Sequence, residues 1–236
     1  MPQVTPYDKL RRFLEASAWM QSLTPEQAER VFRDTLARSF DAGATVAARG
    51  APSAHWIGVV DGMLKVETVT AGGKNASFIG VPAGAWVGEG SVIKGEIRPY
   101  DVVAIRESIV AYMPRATFLW LMQENHHFSR WLIDQLNARL GHFIAMVQSL
   151  RLNDTTAQVA YCLASLFNED LYPGRRSQLG ISQEEIGRLS GVSRQIANRA
   201  LHEMQDRNII RIGYGSIEVL DLPALQAIAA GNVEEL

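Results

Sequence analysis

Arg194, Gln195, Asn198, Arg199 and His202 carry the groups in this chain best suited to chemistry on a partner. At helical spacing they share one face, all are long side chains with hydrogen-bond donors, and none is an acid. Arginine can bond guanine through two donors at once, and glutamine or asparagine can do the same with adenine, in the DNA major groove. The opposite face carries Ala197, Ala200, Leu201 and Met204, small or apolar, which should pack inward. An ordinary solvated helix face is the alternative reading.

The elements that must position this face can be read just upstream. Ser182 precedes an apolar-periodic run with Glu185 three residues on, a capping-box signal for a helix start. Ile186 and Leu189 give that helix a buried face, Gly191 follows where the chain must turn, and Ser193 caps the next helix. Helix, turn and a second helix with a base-reading face describe a DNA-binding helix-turn-helix. At their helix starts, the Ser182 and Ser193 hydroxyls and free N–H groups suit phosphates.

The stretch resembles the helix-turn-helix of the catabolite activator/fumarate-nitrate regulator (Crp/Fnr) family of bacterial transcription factors. The matching residues are Ser182-Gln183-Glu184-Glu185-Ile186-Gly187, Gly191, Val192-Ser193-Arg194 and Arg199. The family's recognition helix commonly begins Ser-Arg-Glu. Gln195 stands at the glutamate position, so the resemblance implies DNA binding but a different preferred base there.

With 236 residues, 47% of them hydrophobic and 20% charged, the chain has room for one large or two small domains of an ordinary globular protein. A net charge of −2 hides an uneven distribution. From Arg175 to Arg211 seven arginines face four acids, a local excess of three positive charges. Neither a membrane-spanning apolar run nor a signal peptide is expected, which implies a cytoplasmic protein. Cys162 is the only cysteine, so neither an internal disulfide nor a four-cysteine iron–sulfur cluster fits one chain; within VAYCLASLF it reads as a small core residue.

Residues 1–39 read as helical, with Thr24-Pro25-Glu26-Gln27 as a helix start. From Phe40 to Met113, glycines separate HWIGVV, MLKVETV, ASFIGV, AWVG and DVVAI, the pattern of a β-barrel, roll or sandwich. Asp61-Gly62 signals a hairpin. Residues 115–152 read as one long helix. Ile133, Leu136, Leu140, Phe143, Val147 and Leu150 follow a 3–4 alternation, a seam that asks for a second helix and so for a homodimer. Asn153 to Thr156 is a polar break, 171–180 a loop, and 209–220 a small hairpin, or wing, around Gly213 and Gly215.

The expected fold class is α+β. A β-roll sensor domain resembling the cyclic-nucleotide-binding fold takes 1–114, a dimerisation helix 115–152, and a winged helix-turn-helix 153–236. Cyclic-nucleotide-binding members of the family carry a Gly-Glu pair and, about ten residues on, an Arg-Ser pair. Gly88-Glu89 matches the first pair and Arg98 the arginine, but Pro99 replaces the serine and offers a phosphate neither hydroxyl nor N–H. The purine-reading positions fall at about Phe143 and Ile144, both apolar. Three readings of this pocket stand open: a cyclic nucleotide, which is not favoured; another small effector; or no ligand, with Glu89 and Arg98 paired. Haem near His126, His127 and His142 is a lesser alternative.

The implied function is a dimeric regulator bound to double-stranded DNA at an inverted repeat, with RNA polymerase as a further partner the resemblance allows. An enzyme on a cupin-like barrel would need two or three converging histidines, and the strand region has only His55. Nucleophile elbow, P-loop and dinucleotide fingerprint are absent. A nucleotide-binding subunit that does not bind DNA is disfavoured by the arginine-rich helix.

Overall fold

The computed structural model describes residues 5–69, 75–151, 154–174 and 176–231. Asn153 and Arg175, named above, lie outside the described residues. The chain forms two compact units, one of residues 1–66 with 81–137 and the other of 67–80 with 138–236.

Helices α1 (Pro6–Ala16) and α2 (Pro25–Asp34) open the chain, each started by a threonine cap with proline in the first turn. The expected box at Thr24 is present: Gln27 N–H donates to Thr24 Oγ1 at 3.3 Å and Thr24 N–H to Gln27 Oε1 at 3.1 Å. Thr5 and Asp8 form another at α1. The helical reading of 1–39 overruns, however. Residues 36–40 form strand β1 (Leu36–Phe40), paired antiparallel with a strand some seventy residues later, Leu36 opposite Tyr112. Local spacing carries no information about such a partner.

The strands continue as β2 (Thr45–Ala47), β3 (His55–Asp61), β4 (Met63–Val69), β5 (Asn75–Pro82) and β6 (Trp86–Val87), then helix α3 (Glu89–Lys94), β7 (Asp101–Ala104) and β8 (Ser108–Pro114). They form two sheets, ordered β1-β8-β3-β6 and β2-β7-β4-β5. The expected hairpin at Asp61-Gly62 is therefore not one: β3 and β4 join different sheets, and the glycine is the corner between them. Gly62 has φ +96°, and a Cβ there would stand 2.2 Å from Ser108 Oγ and 2.6 Å from Glu107 O. Ser108 Oγ holds the corner by accepting from Met63 N–H at 3.1 Å. Gly62→Ala should lower stability by about 1–3 kcal/mol through strain and overlap, seen as a lower urea midpoint with operator preference unchanged.

The continuous helix expected over 115–152 is two helices, α4 (Arg115–Glu124) and α5 (His126–Arg151), broken at Asn125. Asn125 Nδ2 donates to Ser22 O at 3.0 Å and to Gln27 Oε1 at 2.9 Å, while its Oδ1 accepts from Phe128 N–H at 2.8 Å. The break lets Phe118 and Leu121 of α4, and Phe128 and Leu132 of α5, enter one core with Trp19, Trp56 and Trp86. Trp56 and Trp86 stack at 4.0 Å between centroids, a contact worth about 0.5–1.5 kcal/mol beyond area burial. Beyond that anchored first turn and a half, all six seam residues of α5 are exposed, including Ile133 at 56%, Leu140 at 59% and Val147 at 46%.

In the second unit, α6 (Thr155–Ser165) starts on Asp154, whose Oδ1 accepts from Thr156 and Ala157 N–H. Next come β9 (Gln178–Leu179), α7 (Gln183–Ser190), α8 (Arg194–Asp206), β10 (Ile210–Gly213), β11 (Ser216–Val219) and α9 (Leu222–Ala229). The expected wing is β10 and β11. Strand β9, within the stretch read as loop, adds to it in the order β10-β11-β9. Two residues are too few for period-2 alternation to show in the sequence.

Candidate nucleic-acid interface and effector site

Helices α7 and α8 are built as the local signals require. Ser182 Oγ accepts from Glu185 N–H at 3.2 Å, and Ser193 Oγ from Ile196 N–H at 3.3 Å. Gly191, with φ +72°, ends α7 in the left-handed conformation. Gly187 has a role its position did not suggest: a Cβ there would stand 3.3 Å from Ala197 Cβ, so its bareness sets how closely the helices approach. Ile186, Leu189, Ala197, Ala200, Leu201 and Met204 are all buried beneath the pair.

On the outer face Ser182, Ser193, Arg194, Gln195, Arg199 and His202 are exposed. Asn198 differs: it is half-buried, and its Nδ2 donates to Gln183 Oε1, bracing α8 against α7. The arginine excess also sorts itself. Arg188 pairs with Glu184 at 2.6 Å and Glu185 at 3.2 Å, Arg207 with Glu203 at 3.7 Å, and Arg211 with Glu218 at 2.6 Å. Arg194 and Arg199 have no acidic partner among the described residues, so both cations of the base-reading face stand uncompensated. Exposed cations without counter-charges are what a phosphate-lined groove attracts.

The wing is tied to this platform because Ile212 N–H donates to Gln205 Oε1 of α8 at 2.8 Å. At its tip, between Gly213 and Gly215, Tyr214 is fully exposed. Sequence reasoning found the hairpin but not this residue; an aromatic flanked by two turn glycines was the available signal.

In the first unit, Gly88, Glu89 and Arg98 come together. Gly88 caps α3 with φ +92°, and Glu89 begins that helix, buried. Arg98 is 3% exposed. Its Nη2 donates to His55 O at 2.6 Å, and Nη1 lies 2.7 Å from where a Gly88 Cβ would be, with no hydrogen-bond partner. The expected alternative of a Glu89–Arg98 ion pair is not what forms; the guanidinium turns to a backbone carbonyl instead. Burial pulls the Arg98 pKa down from its usual value, and burial, then Arg38 and Arg98, pull His55 down. Burial also pushes Tyr112 up to about 12, its hydroxyl donating to Val46 O at 2.9 Å. The result is a buried arginine with one open donor edge, a group able to meet an anion. Pro99 is exposed beside it. Phe143 and Ile144 lie on α5 within the second unit, both exposed.

Cys162 departs from the expected core role in being only half-buried; burial nonetheless pushes its thiol up to about 12. The two facts agree if its exposed surface faces a recess in the fold. His142 is a packing residue, stacked on Tyr161 at 5.5 Å. Among the described residues there is no group of three or more His, Cys, Asp or Glu that could hold a metal ion, and no helix long and apolar enough to cross a membrane.

Residues 37–125 match the cyclic nucleotide-binding domain family, and residues 157–228 the Crp-like helix-turn-helix domain family. The cyclic AMP receptor protein of Thermus thermophilus is 23% identical over 218 residues, covering 92% of this chain and 99% of that protein. A CRP-like cAMP-activated global transcriptional regulator of Mycobacterium tuberculosis is 24% identical over 204 residues, covering 85% and 91%. Among solved structures, FixK2 from Bradyrhizobium japonicum shares the fold with a TM-score of 0.69 at 16% identity, covering 82% of this chain and 96% of that one.

Proposed function

We propose, since this chain belongs to the Crp/Fnr family of transcription regulators, that it acts as a homodimer binding an inverted-repeat operator in double-stranded DNA. It is a regulator rather than an enzyme, with a Crp-like helix-turn-helix and a cyclic nucleotide-binding domain. The observation that carries the proposal is the outer face of α8, where Arg194, Gln195 and Arg199 stand exposed with neither arginine compensated by an acid. The exposed seam of α5 supports the dimer, because two such helices side by side would remove six apolar residues per chain from water. Two-fold symmetry then places two recognition helices about 34 Å apart, one turn of DNA. In this reading 1–114 is the sensor roll, 115–152 the dimerisation segment and 153–236 the DNA-binding domain. Selection of bound sequences from a random pool tests it: an inverted repeat with half-sites about one turn apart is expected, and recovery without sequence preference would overturn it.

An effector or protein partner acts on the roll and shifts the balance between two arrangements of the dimer that differ in affinity for it. Arg98 Nη1 suits an anion, but the residues around it do not complete a cyclic nucleotide site. Pro99 removes a hydroxyl and an N–H from the phosphate's surroundings, and Phe143 and Ile144 bring no polar group to a purine. Cyclic AMP is therefore expected to bind weakly or not at all by titration calorimetry. A low-micromolar dissociation constant, lost in both Glu89→Ala and Arg98→Ala, would contradict this account of the pocket.

A further inference from the structure

A cavity lies within the second unit. Its volume is about 160 Å³, and its walls come from β5, the second half of α5, α6 and the end of α7. Met146, Leu150, Cys162, Leu166 and Leu189 make it largely apolar, and no carboxylate, lysine or arginine lines it among the described residues.

The polar groups of the wall are nearly all spoken for. Tyr161 OH donates to His142 O at 2.6 Å and also meets His142 Nδ1 at 2.9 Å. Ser165 Oγ donates to Cys162 O and Ser190 Oγ to Ile186 O, each at 2.7 Å. Ser149 is the buried exception: it is 4% exposed and its Oγ has no hydrogen-bond partner, while the half-buried Gln158 adds an amide at the wall. A helical serine ordinarily bonds back to a carbonyl of the preceding turn, and a buried hydroxyl left unsatisfied costs stability. Burial pushes the Cys162 thiol up to about 12, away from the reactive thiolate.

We propose that this cavity binds a small uncharged aromatic molecule bearing one hydrogen-bonding group, and that the turn between α7 and α8 senses its occupancy. Three observations set the ligand class. The volume, about 160 Å³, is of the order of apolar cavities that take up benzene, roughly 150 Å³, so one ring or two fused rings fit. The lack of charge in the wall excludes phosphates and carboxylates, whose desolvation nothing would offset. The buried, unpartnered hydroxyl of Ser149 supplies one hydrogen bond. Coupling follows from position: Leu189, Ser190 and Gly191 line the cavity, and Gly191 is the left-handed residue that fixes the direction in which the chain enters α8. A molecule lodged there favours one setting of the recognition helix, and by linkage DNA alters its affinity equally.

The effect on DNA rests on the DNA-binding function proposed above, whereas occupancy of the cavity does not, so the two are measured separately. Full-length protein is titrated with indole and with indene, of the same shape but lacking the N–H, by ligand-observed NMR. Saturable binding of both is expected, one molecule per chain. Ser149→Ala should weaken indole about three- to tenfold and leave indene unchanged. Cys162→Phe, which fills the cavity, should abolish both; if its melting curve shows that it does not fold, Met146→Trp takes its place. Indole at saturation should change the operator dissociation constant at least threefold in wild type and not in the filled variant. Absence of saturable binding at millimolar indole, or binding that persists in the filled cavity, overturns the site. Saturable binding with unchanged operator affinity overturns the sensing role. A protein that takes up indole but never binds a selected operator sinks the DNA-binding reading and leaves the cavity assignment standing.

Discussion

Leu140→Glu should leave the protein monomeric at micromolar concentration and cost it operator binding in the same step. Leu140 lies near the middle of the α5 seam and is 59% exposed, so nothing within its own chain covers it. Burying a leucine contributes about 1.5–3 kcal/mol, and two-fold symmetry loses that contribution twice. The substitution also brings two carboxylates toward each other across a surface that excludes water. Together these amount to at least about 3–6 kcal/mol per dimer, a hundredfold or more in the dissociation constant. Val147→Glu, one heptad on, should act in the same way, whereas Leu140→Met keeps the apolar surface and should stay dimeric. A monomer carries one recognition helix and half the DNA contacts, so affinity for the full inverted repeat should fall with dimerisation. Sedimentation equilibrium and gel-shift titration read the two losses. Dimers that survive both charged variants would show that the seam is not the interface.

Arg199→Ala should weaken the selected operator by about 1–3 kcal/mol per half-site, roughly five- to a hundredfold, and relax preference at one base pair of each half-site. Arg199 stands one turn beyond Gln195 on the exposed face of α8, so both can enter the same stretch of major groove. Arg194→Ala should behave alike, because that arginine also lacks an acidic partner. Ser182→Ala and Ser193→Ala should instead weaken all sequences about equally, by losing caps and phosphate contacts. Gln195 is the most informative position. A glutamine suits the N6 and N7 of adenine, whereas a glutamate accepts from N4 of cytosine. Gln195→Glu should therefore shift preference at a single position and leave the rest of the half-site alone. Sequence selection on both proteins decides it, and identical preferences would remove Gln195 from the reading face. Asn198→Ala is expected to act differently from the arginines: it removes the brace to Gln183, lowers stability and affinity together, and leaves the preferred sequence intact.

Much of the DNA-binding unit could be read from the sequence because its signals are local. Serine caps at 182 and 193, a left-handed glycine at 191, and apolar residues recurring every three or four positions act within one or two turns of the chain. The exposed seam of α5 was legible for the same reason, since a heptad repeat states its own partner face. The glycine-punctuated strands were equally plain as strands. Their pairing was not: β1 finds β8 across some seventy residues, and Gly62 is a corner between two sheets rather than the tip of a hairpin. In each case the neighbour that decides is remote along the chain.

The same division runs through the candidate sites. Sequence alone placed Asn198 with Arg194 and Arg199 on one face, because periodicity records direction. Only packing showed that the asparagine is committed to Gln183 and that Arg188, Arg207 and Arg211 are held by glutamates. Sequence likewise put Glu89 and Arg98 in one pocket, whereas the fold turned Arg98 to the carbonyl of His55. The cavity beside Ser149 and Cys162 had no trace in the sequence, because a void is made by what several segments fail to fill. Spacing along a helix determines which groups can face outward together; which of them remain available depends on neighbours that only the folded chain supplies.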